Sequence, residues 1–245
     1  MAGVNPEEIT IVIPTLNEAP SLRNTILHTQ DQSTQAENLR FIVVDAGSID
    51  RTLETITDLP VESVQDETLR GKKYASLNRG LEMSEAPITL FLDADTLLPA
   101  GFDTSVRDAL RDQQVVGGAF SLRFANPDWR LRLLRFINHS RYTMDGIYYG
   151  DQAIFCQTSI AKELGGYPAK ALMEAAFFCQ QLKSKGRLAL IRKDVTTSPR
   201  RFQEGGFFKV VWFDIRMWFR FTVGWDVTRF AKRYWESNAM PRRSP

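Results

Sequence analysis

A chain of 245 residues is long enough for one large domain with a substantial core. Its hydrophobic fraction of 43% and charged fraction of 24% are ordinary globular values, and no repeat or low-complexity segment interrupts it. A formal net charge of +2 removes bulk charge as an argument for nucleic-acid binding. The two cysteines, Cys156 and Cys179, are far apart and read as free, buried thiols in a reducing compartment.

In chain order, Ile9–Pro14 is a β-branched run that predicts a strand, followed by a helix over Ser21–Thr29. Leu39–Asp45 predicts a second buried strand, Arg51–Asp58 a helix and Val61–Gln65 a weaker strand. Gly71 precedes a helix that ends near Met83, and Ile88–Leu92 is a strong strand running into Asp93-Ala94-Asp95. Thr104–Asp112 reads as helix and Val115–Phe124 as strand. Further on come an amphipathic helix over Asp128–Met144 with Arg130, Arg132, Arg135 and Arg141, a strand over Asp151–Gln157 and a short helix over Ser159–Leu164. A helix over Met173–Lys185 and a strand over Leu188–Ile191 complete the pattern before an aromatic, basic stretch, 207–235. Strands alternating with helices predict an α/β fold with a largely parallel, Rossmann-like sheet covered by helices. No linker is evident, so residues 1–245 are expected to form one domain.

Ligands of such sheets bind beyond the carboxyl ends of the strands. Three predicted strand ends carry polar or acidic groups there: Pro14-Thr15-Leu16-Asn17-Glu18, Asp45-Ala46-Gly47-Ser48 and Asp93-Ala94-Asp95. A single Asp after a strand commonly just caps the next helix. Three acidic ends on one edge repel one another unless cations or donors offset them. Asp-x-Asp at a strand end suits a hard cation, Mg²⁺ or Mn²⁺, which also takes phosphate oxygens. Gly71-Lys72-Lys73, opening a helix, is either a phosphate site or solvated surface.

These segments resemble the family 2 glycosyltransferases, inverting enzymes of the GT-A fold. The resemblance rests on residues 11–22 (IVIPTLNEAPSL), 41–52 (FIVVDAGSIDRT), 71–80 (GKKYASLNRG) and 90–101 (LFLDADTLLPAG). It continues through 115–124 (VVGGAFSLRF), 149–156 (YGDQAIFC), 164–168 (LGGYP), 172–178 (LMEAAFF) and 195–202 (VTTSPRRF). The run GGAFSLRF, YGDQ and TTSPRR looks like the bacterial subgroup of radical-SAM/selenodomain-associated transferases, which implies no particular substrate. The resemblance implies that Pro14, Thr15, Asn17 and Glu18 line a nucleotide pocket and that Asp45 accepts hydrogen bonds from the base. It further places Lys72 or Lys73 near the base or phosphates, Asp93 with Ala94 at the ribose, and Asp95, with Asp93, on the metal. Tyr149, Gly150, Asp151 and Gln152 would border the donor sugar and acceptor. Arg200 and Arg201 either reach the diphosphate or form a solvated pair. Residues 1–100 would be the nucleotide-binding half, 101–205 the acceptor and catalytic half, and 206–245 a C-terminal helical segment.

Two departures stand out. The family's helix after LGGYP begins with Glu-Asp, the Asp being the expected base, whereas here Glu174 is followed by Ala175. Either Glu174 or Asp151 serves instead, the chain uses another mechanism, or this copy is disabled and only binds. If the base is simply missing, Ala175→Asp should raise transfer by about 10²–10⁴-fold. Asp45-Ala46 stands where many relatives have two aspartates, which leaves the choice between a UDP- and a GDP-linked sugar open.

The C-terminal stretch fits either of two readings: an interfacial helix pair presenting a lipid-linked hydroxyl acceptor, or helices packed on the domain's own core or in a homodimer. No RNA-binding signature accompanies its aromatics, so no nucleic-acid partner is expected. A nucleotidyltransferase is a competing class, but PTLNEAPSL is neither glycine-rich nor basic. The N-terminal MAGVNPEEIT carries no signal-peptide pattern, and no apolar run is long enough to span a bilayer. The expected location is cytoplasmic, either free or peripheral on the inner membrane face.

Overall fold

The computed structural model describes residues 7–170, 172–227 and 230. Its strands are β1 (Ile9–Thr15), β2 (Leu39–Asp45), β3 (Glu62–Gln65), β4 (Ile88–Phe91), β5 (Thr96–Leu97), β6 (Val115–Phe124), β7 (Phe155–Gln157) and β8 (Arg187–Thr197). Its helices are α1 (Leu22–Gln32), α2 (Lys73–Met83), α3 (Phe102–Leu110), α4 (Trp129–Asp145), α5 (Thr158–Glu163), α6 (Glu174–Lys183), α7 (Arg200–Gly205) and α8 (Phe207–Thr222). The eight strands form one sheet in the order β3-β2-β1-β4-β7-β6-β8-β5.

The sheet is parallel through β3, β2, β1 and β4. Strand β7 then runs antiparallel to both β4 and β6, β6 and β8 are parallel, and β5 closes the edge antiparallel to β8. Register aligns the strand ends that matter: Thr15 lies opposite Asp45, and Asp45 opposite Gln65. Side chains alternate between the two faces, as a pleated strand requires. Ile9, Ile11 and Ile13 join one apolar cluster with Leu90, Phe120 and Phe155. Val12 joins the other with Phe91, Tyr167 and Phe178. Helix α2 sits against β1 through Gly80, where an added Cβ would lie 2.2 Å from Val12 Cγ1, so only glycine allows this approach.

Several elements differ from the sequence expectation. The helix over Arg51–Asp58 shrinks to a 3₁₀ turn, Leu53–Ile56. The strand over Asp151–Gln157 divides into a 3₁₀ turn, Gly150–Gln152, and the shorter β7. Ala153, fully buried with φ 49°, breaks the extended backbone between them. Strand β8 runs six residues past Ile191 because a register shift between Phe120 and Ser121 keeps it paired with β6. The side chain of Arg141 and residues 228, 229 and 231–235 of the aromatic stretch lie outside the described residues.

Candidate active site

The carboxyl ends of β1, β2 and β4 converge, as the alternation of strands and helices predicts. The three acidic ends nevertheless do different things.

Asp45 is fully buried, and both of its oxygens are saturated. Thr15 Oγ1 (3.3 Å) and Ser48 Oγ donate to Oδ1, while Ser48 N (2.9 Å) and Gln65 Nε2 (2.9 Å) donate to Oδ2. A carboxylate offers about four acceptor positions, and all four are occupied. The resemblance gives Asp45 to the base; in this arrangement its carboxylate ties β1, the β2 loop and β3 together. Thr15 is buried as one of its donors. The adjoining loops are sewn by the same logic. The Asn17 amide donates to Ser48 Oγ (2.7 Å), Ile49 N donates to Asn17 Oδ1 (2.7 Å), and Glu18 N donates to Thr52 Oγ1 (2.9 Å). Pro14 is half-buried at the end of β1.

The end of β4 is charged instead. Lys73, the first residue of α2, donates to Asp93 Oδ1 at 2.6 Å. Lys72 points elsewhere, its exposed ammonium donating to the Thr68 carbonyl at 3.1 Å, so Lys73 is the lysine of the site. Ala94, between the two aspartates, is buried and its carbonyl accepts from Thr25 Oγ1 at 2.7 Å. Arg200, at the start of α7, donates to Glu18 Oε1 at 2.8 Å and lies 3.4 Å from Asp95 Oδ2. Arg201 donates to Asp214 on α8. The two arginines thus have separate carboxylate partners and are not a solvated pair.

The turn Gly150–Gln152 covers this group. A Cβ on Gly150 would stand 3.2 Å from Lys73 Nζ and 4.0 Å from Asp93 Oδ2. Tyr149 is half-buried, and its amide donates to Gln152 Oε1 (3.0 Å). Gln152 is buried and donates to the Phe120 carbonyl (3.1 Å), which holds the turn against β6. Glu174 begins α6 just after Met173, whose φ of 61° turns the chain into the helix. Ala175 is only 4% exposed and packs in the cluster with Tyr167 and Phe178. Asn78, which the sequence reading left without a role, fixes the preceding loop: Tyr167 N donates to its Oδ1 (2.7 Å) and its Nδ2 donates to the Tyr167 carbonyl (2.8 Å).

Crowded carboxylates out of water resist ionisation. Burial, then the charges of Asp93 and Glu18, pushes Asp95 up to about 6 against the pull of Arg200 and Lys73. Burial and Asp93 push Asp151 up to about 6 as well, opposed by Lys73 and Arg201. Glu174 is raised, by burial first, with Lys73 opposing. Burial works to lower Lys73, but Asp93, Glu174 and Asp151 more than offset it and hold the ammonium above its ordinary range. A cavity of 290 Å³ opens beside Asp95 and Arg200, lined also by Ser21, Asn24 and Ser198. A larger one of 660 Å³ lies against the start of β4 and α5, away from these carboxylates.

The sequence profile of glycosyl transferase family 2 matches residues 10–162, more than half of the chain and every strand end described above. The chain belongs to glycosyl transferase family 2. A validoxylamine A glucosyltransferase of Streptomyces hygroscopicus subsp. jinggangensis (strain 5008) is 30% identical over 102 residues, covering 40% of this chain. The chain matches only 24% of that relative's length. Among solved structures, the mannosyltransferase PcManGT of Pyrobaculum calidifontis, in complex with GDP-Man and Mn²⁺, superposes with TM-score 0.66 at 23% identity, over 97% of this chain and 68% of that one. S. aureus TarS 1-349 in complex with UDP-GlcNAc gives TM-score 0.64 at 18% identity, over 78% and 58%. At such identities the likeness carries the GT-A fold, and this family member has it.

Proposed function

We propose that the chain moves a sugar from a nucleoside-diphosphate sugar, UDP- or GDP-linked, to a hydroxyl acceptor, inverting the anomeric carbon. The observation that carries this is the meeting of Asp93, Asp95, Asp151 and Glu174 with Lys73 and Arg200 beyond the end of β4. Nucleotide sugars in the titled complexes of two neighbours support the donor class.

The donor set fits a divalent cation, Mg²⁺ or Mn²⁺, held by Asp95 with Asp93. Asp95 is crowded by two like charges, and Asp93 Oδ2 is left by the Lys73 bond to Oδ1. Among the described residues no three His, Cys, Asp or Glu side chains are arranged to hold an ion by themselves. That suits a cation that takes one or two carboxylates and completes its shell with substrate phosphates. When bound, it would neutralise charge on the leaving diphosphate. Lys73 holds Asp93 in place, and Arg200, bridging Glu18 and Asp95, is positioned to meet a phosphate bidentately.

We assign the base to Asp151. It sits on the turn above Lys73 and Asp93, and at about 6 its carboxyl is ionised at neutral pH yet basic enough to take the acceptor proton. Glu174, acting on Lys73 from the start of α6, is the alternative acid. Ala175 favours a second reading, a nucleotide-sugar binder that no longer transfers. We also read 1–245 as one domain, divided as the sequence suggests, within the radical-SAM/selenodomain-associated subgroup. Hydrolysis and transfer assays on a set of UDP- and GDP-sugars, with and without Mn²⁺, decide. Metal-dependent turnover that Asp151→Asn abolishes and Glu174→Gln largely spares supports the proposal. Binding without turnover supports the second reading.

A further inference from the structure

Two helices away from the site are apolar on their outward as well as their inward faces. On α4, Leu131 is buried and Leu134 packs on the core, yet Trp129 (67% exposed), Leu133, Phe136 (70%) and Ile137 form an outward stripe at helical spacing. On α8, Val210, Met217 and Phe221 are buried, whereas Phe208 (71%), Trp212 (69%), Ile215 and Phe219 face outward. The two stripes adjoin: the Arg130 guanidinium lies 5.5 Å from the Trp129 ring centroid and 5.5 Å from that of Phe208. Contiguous exposed apolar surface of this kind marks an interaction site.

Charge decides which partner it fits. The two helices hold seven Lys and Arg against two acids, Asp145 and Asp214, and Asp214 is engaged by Arg201. Arg132, Lys209 and Arg216 are exposed beside the stripes. Arg216 lies 4.9 Å from the Phe230 ring, and Arg220 lies 5.3 Å from that of Trp225. A second copy docking by two-fold symmetry would set this basic face against itself. Basic and aromatic side chains intermixed on a helix face suit the headgroup layer of an anionic membrane, where rings insert and cations meet lipid phosphates.

We propose that the outward faces of α4 and α8 form one docking surface for an anionic lipid bilayer. The proposal rests on this surface alone and stands whether or not the site transfers sugar.

The test is flotation of the full chain with vesicles of phosphatidylcholine, alone or mixed with phosphatidylglycerol, read together with quenching of tryptophan fluorescence by brominated lipid. Expected are flotation only with the anionic vesicles, weakening as salt rises, and a loss of about 10-fold or more in affinity for Phe136→Glu/Trp212→Glu. Should that variant misfold, Arg132→Glu/Arg216→Glu, which leaves the rings in place, should show the same loss. Failure to float with anionic vesicles, equal flotation with neutral ones, or unchanged binding by both folded variants overturns the proposal. A dimer in sedimentation that Phe136→Glu/Trp212→Glu dissociates, with no vesicle binding, overturns it in favour of a second copy.

Discussion

Asp45 ends β2 and Asp95 follows β4, the two strands that flank β1 in one sheet, and their surroundings are opposite. Asp45 has neutral donors on both of its oxygens. Asp95 has like charges on two sides, opposed by Arg200 at 3.4 Å and by the charge of Lys73. A carboxylate satisfied by neutral donors from three chain segments is a fastener; one pressed by other carboxylates is prepared for a cation or a proton. The residue type is the same, and its neighbours decide what it does.

That contrast is open to attack, beginning with the largest effects. Asp95→Asn and Asp151→Asn should each lower kcat by about 10²–10⁴-fold with little change in melting temperature. Asp45→Asn should do the reverse, costing about 1–3 kcal/mol in urea unfolding through its disrupted buried network, with kcat of the folded fraction near normal. If Asp45→Asn abolished turnover without moving the unfolding midpoint, the division between fastener and reacting group would fail.

The pH profile sharpens the same point. Asp151 is protonated below about 6, so kcat should decline as pH falls through that value and level off above it. In Asp151→Asn the residual rate should show no such limb. A profile that keeps it would move the base to Glu174.

A smaller effect concerns Ala175. From sequence, restoring an Asp there would be expected to raise transfer. Its packing among Tyr167 and Phe178 argues otherwise, since a carboxylate introduced there would be buried. Ala175→Asp should cost about 1–3 kcal/mol of stability and leave the transfer rate within a few-fold of wild type. A large gain in rate would return the missing-base reading to first place.

Much of this was legible in the chain. The β-branched runs at 9–14, 39–45 and 88–92 announce buried strands whatever their neighbours, and each ends in a polar group at the edge where parallel sheets bind ligands. The two-residue β5 has no periodicity to read, and the break at Ala153 depends on a left-handed residue that is not glycine. The choice between Lys72 and Lys73 depends on where α2 begins. The hydrogen-bond shell of Asp45 was not legible, because its donors at positions 15, 48 and 65 are gathered only by folding and sheet register. Asn78, likewise, meets Tyr167 only after folding.

The closed shell around Asp45 bears on how one nucleobase could be exchanged for another. If that shell stays closed when a donor binds, discrimination between uracil and guanine would fall to main-chain amides and carbonyls of the loops that follow β1 and β2. Their course is set by Asn17, at a φ of 57°, and by its bonds to Ser48 and Ile49. On the proposed function, redirecting the donor preference would then mean rerouting a loop, not replacing a single recognition side chain.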